Sequence, residues 1–358
     1  MGVTPSAVLA PDLDAVLERN ADDFAAFRHA RFFISGGTGF VGSWLLETFA
    51  WANRRLALDA SAVVLTRSPD DFATAAPHLL CDPAISFRRG DVRDKNSIWG
   101  TFDVVVHAAT TVSSSVEGAY GQPPLELIET IVDGTRRVLE LARRNGAIPF
   151  LFTSSGAVYG EQPPTLEQIE ETYLGGPNSL KTTCAYHEAK RMAEMLCGIE
   201  AEHAGLQTKI ARLFAFVGPY LPVNRHFAIG NFIGDALRGR AIEVFAESGA
   251  VRTYMYAGDL ATWLWRILAR GERQRAYNVG SDYPRAIGDV ARAVSEANGC
   301  VNEVIIRGVQ GDQPFQPDRY VPSTLRARSE LGLSETVPLD EAIRRTIDWH
   351  RARATVGS

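Results

Sequence analysis

Ser35-Gly36-Gly37-Thr38-Gly39-Phe40-Val41-Gly42 lies between an apolar run, Arg31 to Ser35, and a helical pattern over about 41–53. A strand, a turn with glycine at 36, 39 and 42, and then a helix form the opening of a βαβ unit that lets a pyrophosphate approach the backbone closely. The helix N-terminus adds free N–H groups and a partial positive charge for the phosphates. Gly36, Thr38, Gly39, Phe40 and Val41 are therefore candidate dinucleotide contacts.

Outward from this turn, runs of β-formers at 61–67, 85–91, 102–109, 148–155 and 208–216 alternate with helical patterns near 125–145 and 184–204. Such alternation predicts parallel strands buried on both faces, hence an α/β chain with a doubly wound Rossmann sheet. Beyond the Pro- and Gly-rich stretch Gly218 to Asn224 the elements shorten. The expected division is a dinucleotide-binding domain over 31–220 and a smaller C-terminal α/β substrate domain over 221–358, with some interleaving. Residues 1–30 read as an extension whose amphipathic stretch around Leu13, Val16 and Leu17 packs as a helix on the outside.

With 46% hydrophobic and 22% charged residues, the 358-residue chain has the apolar content for a packed core, and its net charge of -5 offers no general attraction to nucleic acid or anionic lipid. Cys81, Cys184, Cys197 and Cys300 are far apart and the seven histidines lack paired spacing, so reduced thiols and no structural metal are expected. No long uncharged apolar run is present, and Asp12, Asp14 and Glu18 stand where a signal peptide needs an apolar core, which makes a cytoplasmic protein the expectation.

The end of the second strand faces the adenosine ribose in such folds. Here it reads Val64-Leu65-Thr66-Arg67-Ser68, without an acidic residue for a ribose 2′-hydroxyl. Arg67 can fork onto a 2′-phosphate with the Ser68 hydroxyl beside it, which favours NADP. Arg67 as a solvated strand-end arginine keeps NAD open. Asp91, in Asp91-Val92, suits either the adenine amino group or a helix cap.

Tyr186-His187-Glu188-Ala189-Lys190 puts a phenol and an ammonium on one helix face. A nearby ammonium lowers a phenol's pKa and suits it to proton exchange with a carbonyl or alcohol oxygen. Ser155 ends the strand at 148–155, at the carboxyl edge where parallel sheets hold ligands, and can donate to the same oxygen. His187 faces elsewhere. Trp263, Trp265 and Trp349 read as core or interface aromatics, Tyr254, Tyr256 and Phe232 as core, and Asp259 after Gly258 as a helix N-cap.

With these motifs the chain resembles the extended short-chain dehydrogenase/reductases called NAD-dependent epimerase/dehydratases, which act mostly on nucleotide sugars. The resemblance runs from Phe32 to about His350, through Gly36 to Gly42, Asp91-Val92, His107-Ala108-Ala109, Thr153 to Gly160, Tyr186 to Lys190, Gly218-Pro219 and Tyr277 to Gly280. It implies Tyr186 as catalytic acid/base, Lys190 on the nicotinamide ribose, Ser155 polarising the substrate, and cofactor contacts at Val92, Ala108 and Ala109. It also implies a homodimer formed through two helices per subunit.

Dehydrating relatives place Asp-Glu directly after the catalytic hydroxyl, and decarboxylating ones keep a Glu there. This chain has Gly156 and Ala157. Hydride transfer at one carbon remains: net reduction of a nucleoside-diphosphate keto-sugar, or oxidation and re-reduction by an epimerase. NADP preference and a looser likeness of Arg319 to Pro322 and Glu330 to Leu333 to nucleotide-sugar 4-ketoreductases favour reduction. Reduction of a non-sugar ketone and a non-catalytic dinucleotide-binding regulator are further readings. Two departures from the family pattern are Ile131 for an Asn, and Ala215 for an Asn that contacts the diphosphate. Arg252 is the candidate to take that diphosphate.

Overall fold

The computed structural model describes residues 5–110, 123–146, 148–223, 227–244, 249–299, 302–307 and 318–356; Asn224 and Cys300 lie outside them. The first six strands are β1 (Arg31–Ser35), β2 (Ser61–Thr66), β3 (Ile85–Arg89), β4 (Val104–His107), β5 (Pro149–Ser155) and β6 (Gln207–Leu213). After the short β7 (Phe216–Val217), β8 (Ile242–Val244), β9 (Val251–Arg252) and β10 (Met255–Tyr256) comes β11 (Arg275–Val279).

One seven-stranded parallel sheet has the order β11-β6-β5-β4-β1-β2-β3. All four residues of β4 and six of the seven in β5 are buried, as a sheet covered on both faces requires. On one face lie α2 (Phe40–Arg55), through Leu45 and Phe49, and α8 (Ala257–Arg270), through Leu264 and Leu268. On the other lie α5 (Pro124–Arg144) and α6 (Ala185–Ala204), through Ile131, Val138, Ala189 and Ala193. The strand order reverses between β1 and β4, so a crevice opens at their carboxyl ends. A second apolar cluster joins α7 (Ala228–Leu237), α9 (Ile287–Ala297) and α11 (Leu339–Val356). The interleaving is substantial, because β11 and α8 come from the 221–358 half and complete the large sheet and its covering layer.

The N-terminal segment forms the expected helix, α1 (Pro5–Ala25), bent at Asn20, with Asp14, Ala15, Glu18 and Asp22 on its exposed side, while its inner face is built into the core. Leu9, Leu13, Val16 and Phe24 are 1–3% exposed, and each such burial stabilises by about 2 kcal/mol at most. Asp12 accepts from Tyr256 (2.5 Å) and pairs with Arg345, Arg19 reaches Asp259 (2.5 Å), and Asp23 takes Arg266 and Arg270 together. Amphipathicity announces a buried face, but these partners lie more than 200 residues away in the chain and no local pattern names them.

Asp259 is not an N-cap. Tyr256 caps α8, and Asp259 lies inside its first turn, accepting from Arg19, from Thr336 N (2.8 Å) and Oγ1 (2.7 Å), and from Val337 N (3.1 Å). It therefore joins α1, α8 and the lead-in to α11. The trio of Asp23, Arg266 and Arg270, which ties α1 to α8 independently of Asp259, gives a direct test of how α1 is held. Asp23→Ala leaves Arg266 and the half-exposed Arg270 without their shared carboxylate and should cost about 3 kcal/mol, read as a lower urea midpoint at constant slope; an unchanged midpoint would mean that this trio adds nothing to the hold on α1.

Candidate active site

At the crevice Gly36 has φ +76°, and a Cβ there would lie 2.5 Å from the Ala108 carbonyl carbon and the Ala109 nitrogen. A Cβ on Gly42 would lie 2.3 Å from the Gly36 oxygen, so the turn closes against the first turn of α2. Gly39, the N-cap of α2, has no side-chain capping bond, and a Cβ on it would approach only the Gly36 oxygen, at 3.6 Å. The uncapped helix end therefore presents backbone donors at an unobstructed face, which fits a dinucleotide pyrophosphate. Thr38 Oγ1 meets Thr66 Oγ1 at 3.0 Å and ties the turn to the end of β2.

A cavity of about 1080 Å³ runs from this turn to the smaller layer. Its walls include Gly36, Thr38, Gly39, Phe40, Val41, Arg67, Ser68, Asp91, Val92, Ala108, Ala109, Ser155, Tyr186, Lys190 and Arg252, so the sequence candidates come together in one space. Asp91 accepts from Arg93 N (2.8 Å), Nη2 (2.9 Å) and Nε (3.1 Å), and these bonds hold its carboxyl below the usual range, with Arg67 adding its charge. Arg252 also reaches the cavity, but its guanidinium donates to Val251 O (3.0 Å) and Asp318 O (2.8 Å) and pairs with the Asp318 carboxylate. Tyr254 is buried as expected of core, yet it lines the cavity too. His187 does not. Trp263, Trp265 and Trp349 are core.

Ser155 ends β5 and caps the 3-10 turn Gly156–Tyr159, its Oγ accepting from Ala157 N at 3.1 Å. A Cβ on Gly156 would lie 2.5 Å from the Tyr320 hydroxyl and 2.7 Å from the Phe214 ring, so packing keeps this position bare. Tyr186 stands in the first turn of α6. Burial raises its phenol pKa, and a hydrogen bond with Ser155 opposes that rise. One turn on, Lys190 is 1% exposed; its Nζ donates to Thr153 O at 2.7 Å and lies 4.8 Å and 5.8 Å from the Phe152 and Tyr186 ring centroids. Burial pulls this amine down to about 7, against the pull of Glu194. The expected lowering of the phenol pKa by the ammonium is thus reversed. Both groups are desolvated, and the amine is bonded to backbone rather than to the phenol oxygen.

Sequence reading missed the polar support beneath these groups. Ser154 Oγ donates to Glu194 Oε1 (2.5 Å), and Arg212 clasps Glu194 through Nε (3.0 Å) and Nη2 (2.7 Å). Arg212 also donates to the Tyr159 hydroxyl (2.8 Å), which donates to Asn278 Oδ1 (2.7 Å) on β11. The i+4 spacing from Lys190 to Glu194 was the available signal. His107 is likewise structural. Thr135 Oγ1 donates to Ile131 O (2.6 Å), so it accepts from His107 Nε2 (3.0 Å), leaving Nδ1 to accept from Ser35 (2.6 Å). Burial, with help from the Lys190 charge, pushes this imidazole to about 3 and keeps it neutral.

The fold and this constellation define a dinucleotide-dependent enzyme of the extended short-chain dehydrogenase/reductase type. The chain belongs to the NAD dependent epimerase/dehydratase family, whose model matches residues 32–280. Among curated relatives, UDP-glucuronic acid decarboxylase 5 of Arabidopsis thaliana is 30% identical, covering 87% of each chain. UDP-glucuronic acid decarboxylase 1 of Xenopus tropicalis is 28% identical over 90% of this chain and 72% of that one. Among solved structures, the Thermus thermophilus UDP-glucose 4-epimerase complex with NAD is 27% identical with TM-score 0.72, covering 90% of this chain and 99% of that one. An epimerase of Methanothermobacter thermautotrophicus, 22% identical over 95% and 97% of the two chains, shares the fold at TM-score 0.77. Among the described residues no helix is long and apolar enough to cross a membrane, and no cluster of metal-ligating side chains occurs.

The buried amine makes a prediction with a definite sign. Lys190 titrates near 7 when folded and near 10.5 as an ordinary lysine, so between these values the unfolded chain binds more protons and stability from this group rises with pH. In Lys190→Met the ligand-free protein should gain most stability near pH 6 and lose this rise, as read from urea midpoints across pH; a slope identical to the parent's would show that the amine is not desolvated.

Proposed function

We propose that this protein reduces the ketone of a nucleoside-diphosphate keto-sugar of the 4-keto-6-deoxyhexose kind, with NADPH as the favoured reductant and NADH as the alternative. The observation that carries the reading is the chemistry of the cavity wall. Among the described lining residues Asp91 is the only carboxylate, and it is engaged by Arg93 at the dinucleotide end. Elimination of water needs an acid and a base beyond the tyrosine, whereas Gly156 and Ala157 next to Ser155 supply neither. The names of the curated relatives suggest decarboxylation; the Glu that the family resemblance associates with that reaction is missing here.

When bound, the nicotinamide supplies the hydride. Ser155 and Tyr186 then hydrogen-bond the carbonyl oxygen. Its raised pKa keeps Tyr186 protonated at neutral pH, so it is the group able to give that oxygen a proton. Lys190 lies under the phenol ring as the nearby cation when the proton has left. Tyr186→Phe should lower turnover by about 10²–10⁴-fold while dinucleotide binding persists; near-normal turnover would remove Tyr186 from the chemistry.

Arg67 follows β2 at the mouth of the cavity, where its charge acts on Asp91, and this placement supports a 2′-phosphate contact. Arg67→Ala should reduce the ratio of kcat/KM for NADPH over NADH by about tenfold. An unchanged ratio would mean that Arg67 does not set the coenzyme preference. An epimerase that retains NAD would use the same groups, and the likeness to a UDP-glucose 4-epimerase favours that second reading. The exposed Leu125 on α5 and Met192, Met195 and Ile199 on α6 support a homodimer built on these two helices, as the family resemblance implies.

A further inference from the structure

Arg353 lies near the end of α11, outside the segment that the family model matches, yet it lines the same cavity as the glycine turn. The described cavity wall carries four cationic side chains, Arg67, Lys190, Arg252 and Arg353. Lys190 donates to Thr153, Arg252 is held by Asp318, and Arg67 lies beside Asp91. Among the described residues Arg353 meets no carboxylate and no carbonyl; its guanidinium carbon sits 4.8 Å from the centroid of the Trp349 ring.

That seat is rigid. Trp349 is fully buried and packs its ring 4.7 Å from Tyr220, a residue at φ +70° whose hydroxyl donates to Glu47 on α2, while His78 Nε2 lies 2.8 Å from the same carboxylate. Tyr220 and Phe40 both line the cavity, and the bond from Tyr220 to Glu47 ties the stack of Arg353, Trp349 and Tyr220 to α2, the helix that begins at the glycine turn. A guanidinium stacked on an indole, without a counter-ion among the described residues and lining a nucleotide-sized space, is a fork ready for phosphate oxygens. The need is specific to this chain, because Ala215 stands where the family resemblance expects an Asn on the diphosphate, and Arg252 is already engaged.

We infer that Arg353, supplied by the C-terminal helix, is a phosphate-binding residue of this cavity and takes an oxygen pair of a bound nucleotide. The inference rests on the nucleotide-binding part of the reading above, not on reduction. Both the dinucleotide and the nucleotide sugar carry the required phosphates, so the test separates them.

Calorimetric titration of the full chain with NADP⁺, NAD⁺, UDP and dTDP, in the parent, Arg353→Ala and Arg353→Lys, reads binding without turnover. Arg353→Met keeps the side-chain stem over Trp349 should the alanine variant fold poorly. The expected result is a loss of about tenfold in affinity for the dinucleotides, the nucleoside diphosphates or both, partly restored by lysine. A loss confined to dinucleotides puts the contact on the cofactor, and one confined to UDP or dTDP puts it on the substrate; either supports the inference. Affinities for all four probes within about twofold of the parent would overturn it, since a lost charge-assisted bond costs more than that. A parent that binds none of the four would overturn the nucleotide reading and this inference together, whereas a parent that binds but does not reduce keto-sugars would overturn only the reductase.

Discussion

Gly36 is pressed against the Ala108–Ala109 peptide so closely that no side chain fits between them, and this contact brings the carboxyl ends of β1 and β4 together at the reversal of the sheet. Ser35 and His107, adjacent in register, close the same junction with a buried hydrogen bond. The start of α2, the wall of the cavity and the distance from the glycine turn to Ser155 on the next strand all follow from this junction. A larger residue at 36 would meet the Ala108–Ala109 backbone and would also have to hold a positive φ, a conformation that glycine adopts without strain.

Around that junction the protein spends stability on polar groups placed deep in the interior. Lys190 and His107 are pushed toward their neutral forms and Tyr186 is kept protonated, each mainly by burial. Glu194 and Arg212 lie below the Tyr186–Lys190 pair and are satisfied through Ser154, Tyr159 and, beyond it, Asn278, so the ionic pair is held in place from three strands and a helix. Such a network is costly if half-formed and stiffening when complete. It holds the tyrosine against Ser155, and among the described lining residues no carboxylate other than Asp91 reaches the cavity, an arrangement that suits the proposed single-carbon reduction better than elimination.

Much of the fold was legible because buried parallel strands read as short apolar runs. The expected helix at 41–53 spans Phe40–Arg55, that at 125–145 spans Pro124–Arg144, and that at 184–204 spans Ala185–Ala204. The glycine turn, Ser155, Tyr186 and Lys190 were legible for a different reason: their chemistry needs particular residue types at particular places on a strand end or helix face. What could not be read was pairing over long stretches of chain. The burial of α1, the role of Asp259 as a junction and the return of β11 to the main sheet depend on partners that no local period specifies. Arg353 escaped for the same reason, since only the fold brings the end of α11 to the cavity. The phenol's pKa was misjudged because spacing shows that Lys190 is near Tyr186 but not that both are dry.

The most direct measurement is the absorbance of reduced nicotinamide during incubation of the purified protein with a nucleoside-diphosphate 4-keto-6-deoxyhexose, followed by mass analysis of the sugar. The account predicts loss of NADPH in step with a product that has gained two hydrogens. An isomeric sugar formed without loss of NADPH or NADH would contradict it and place the chain among the epimerases.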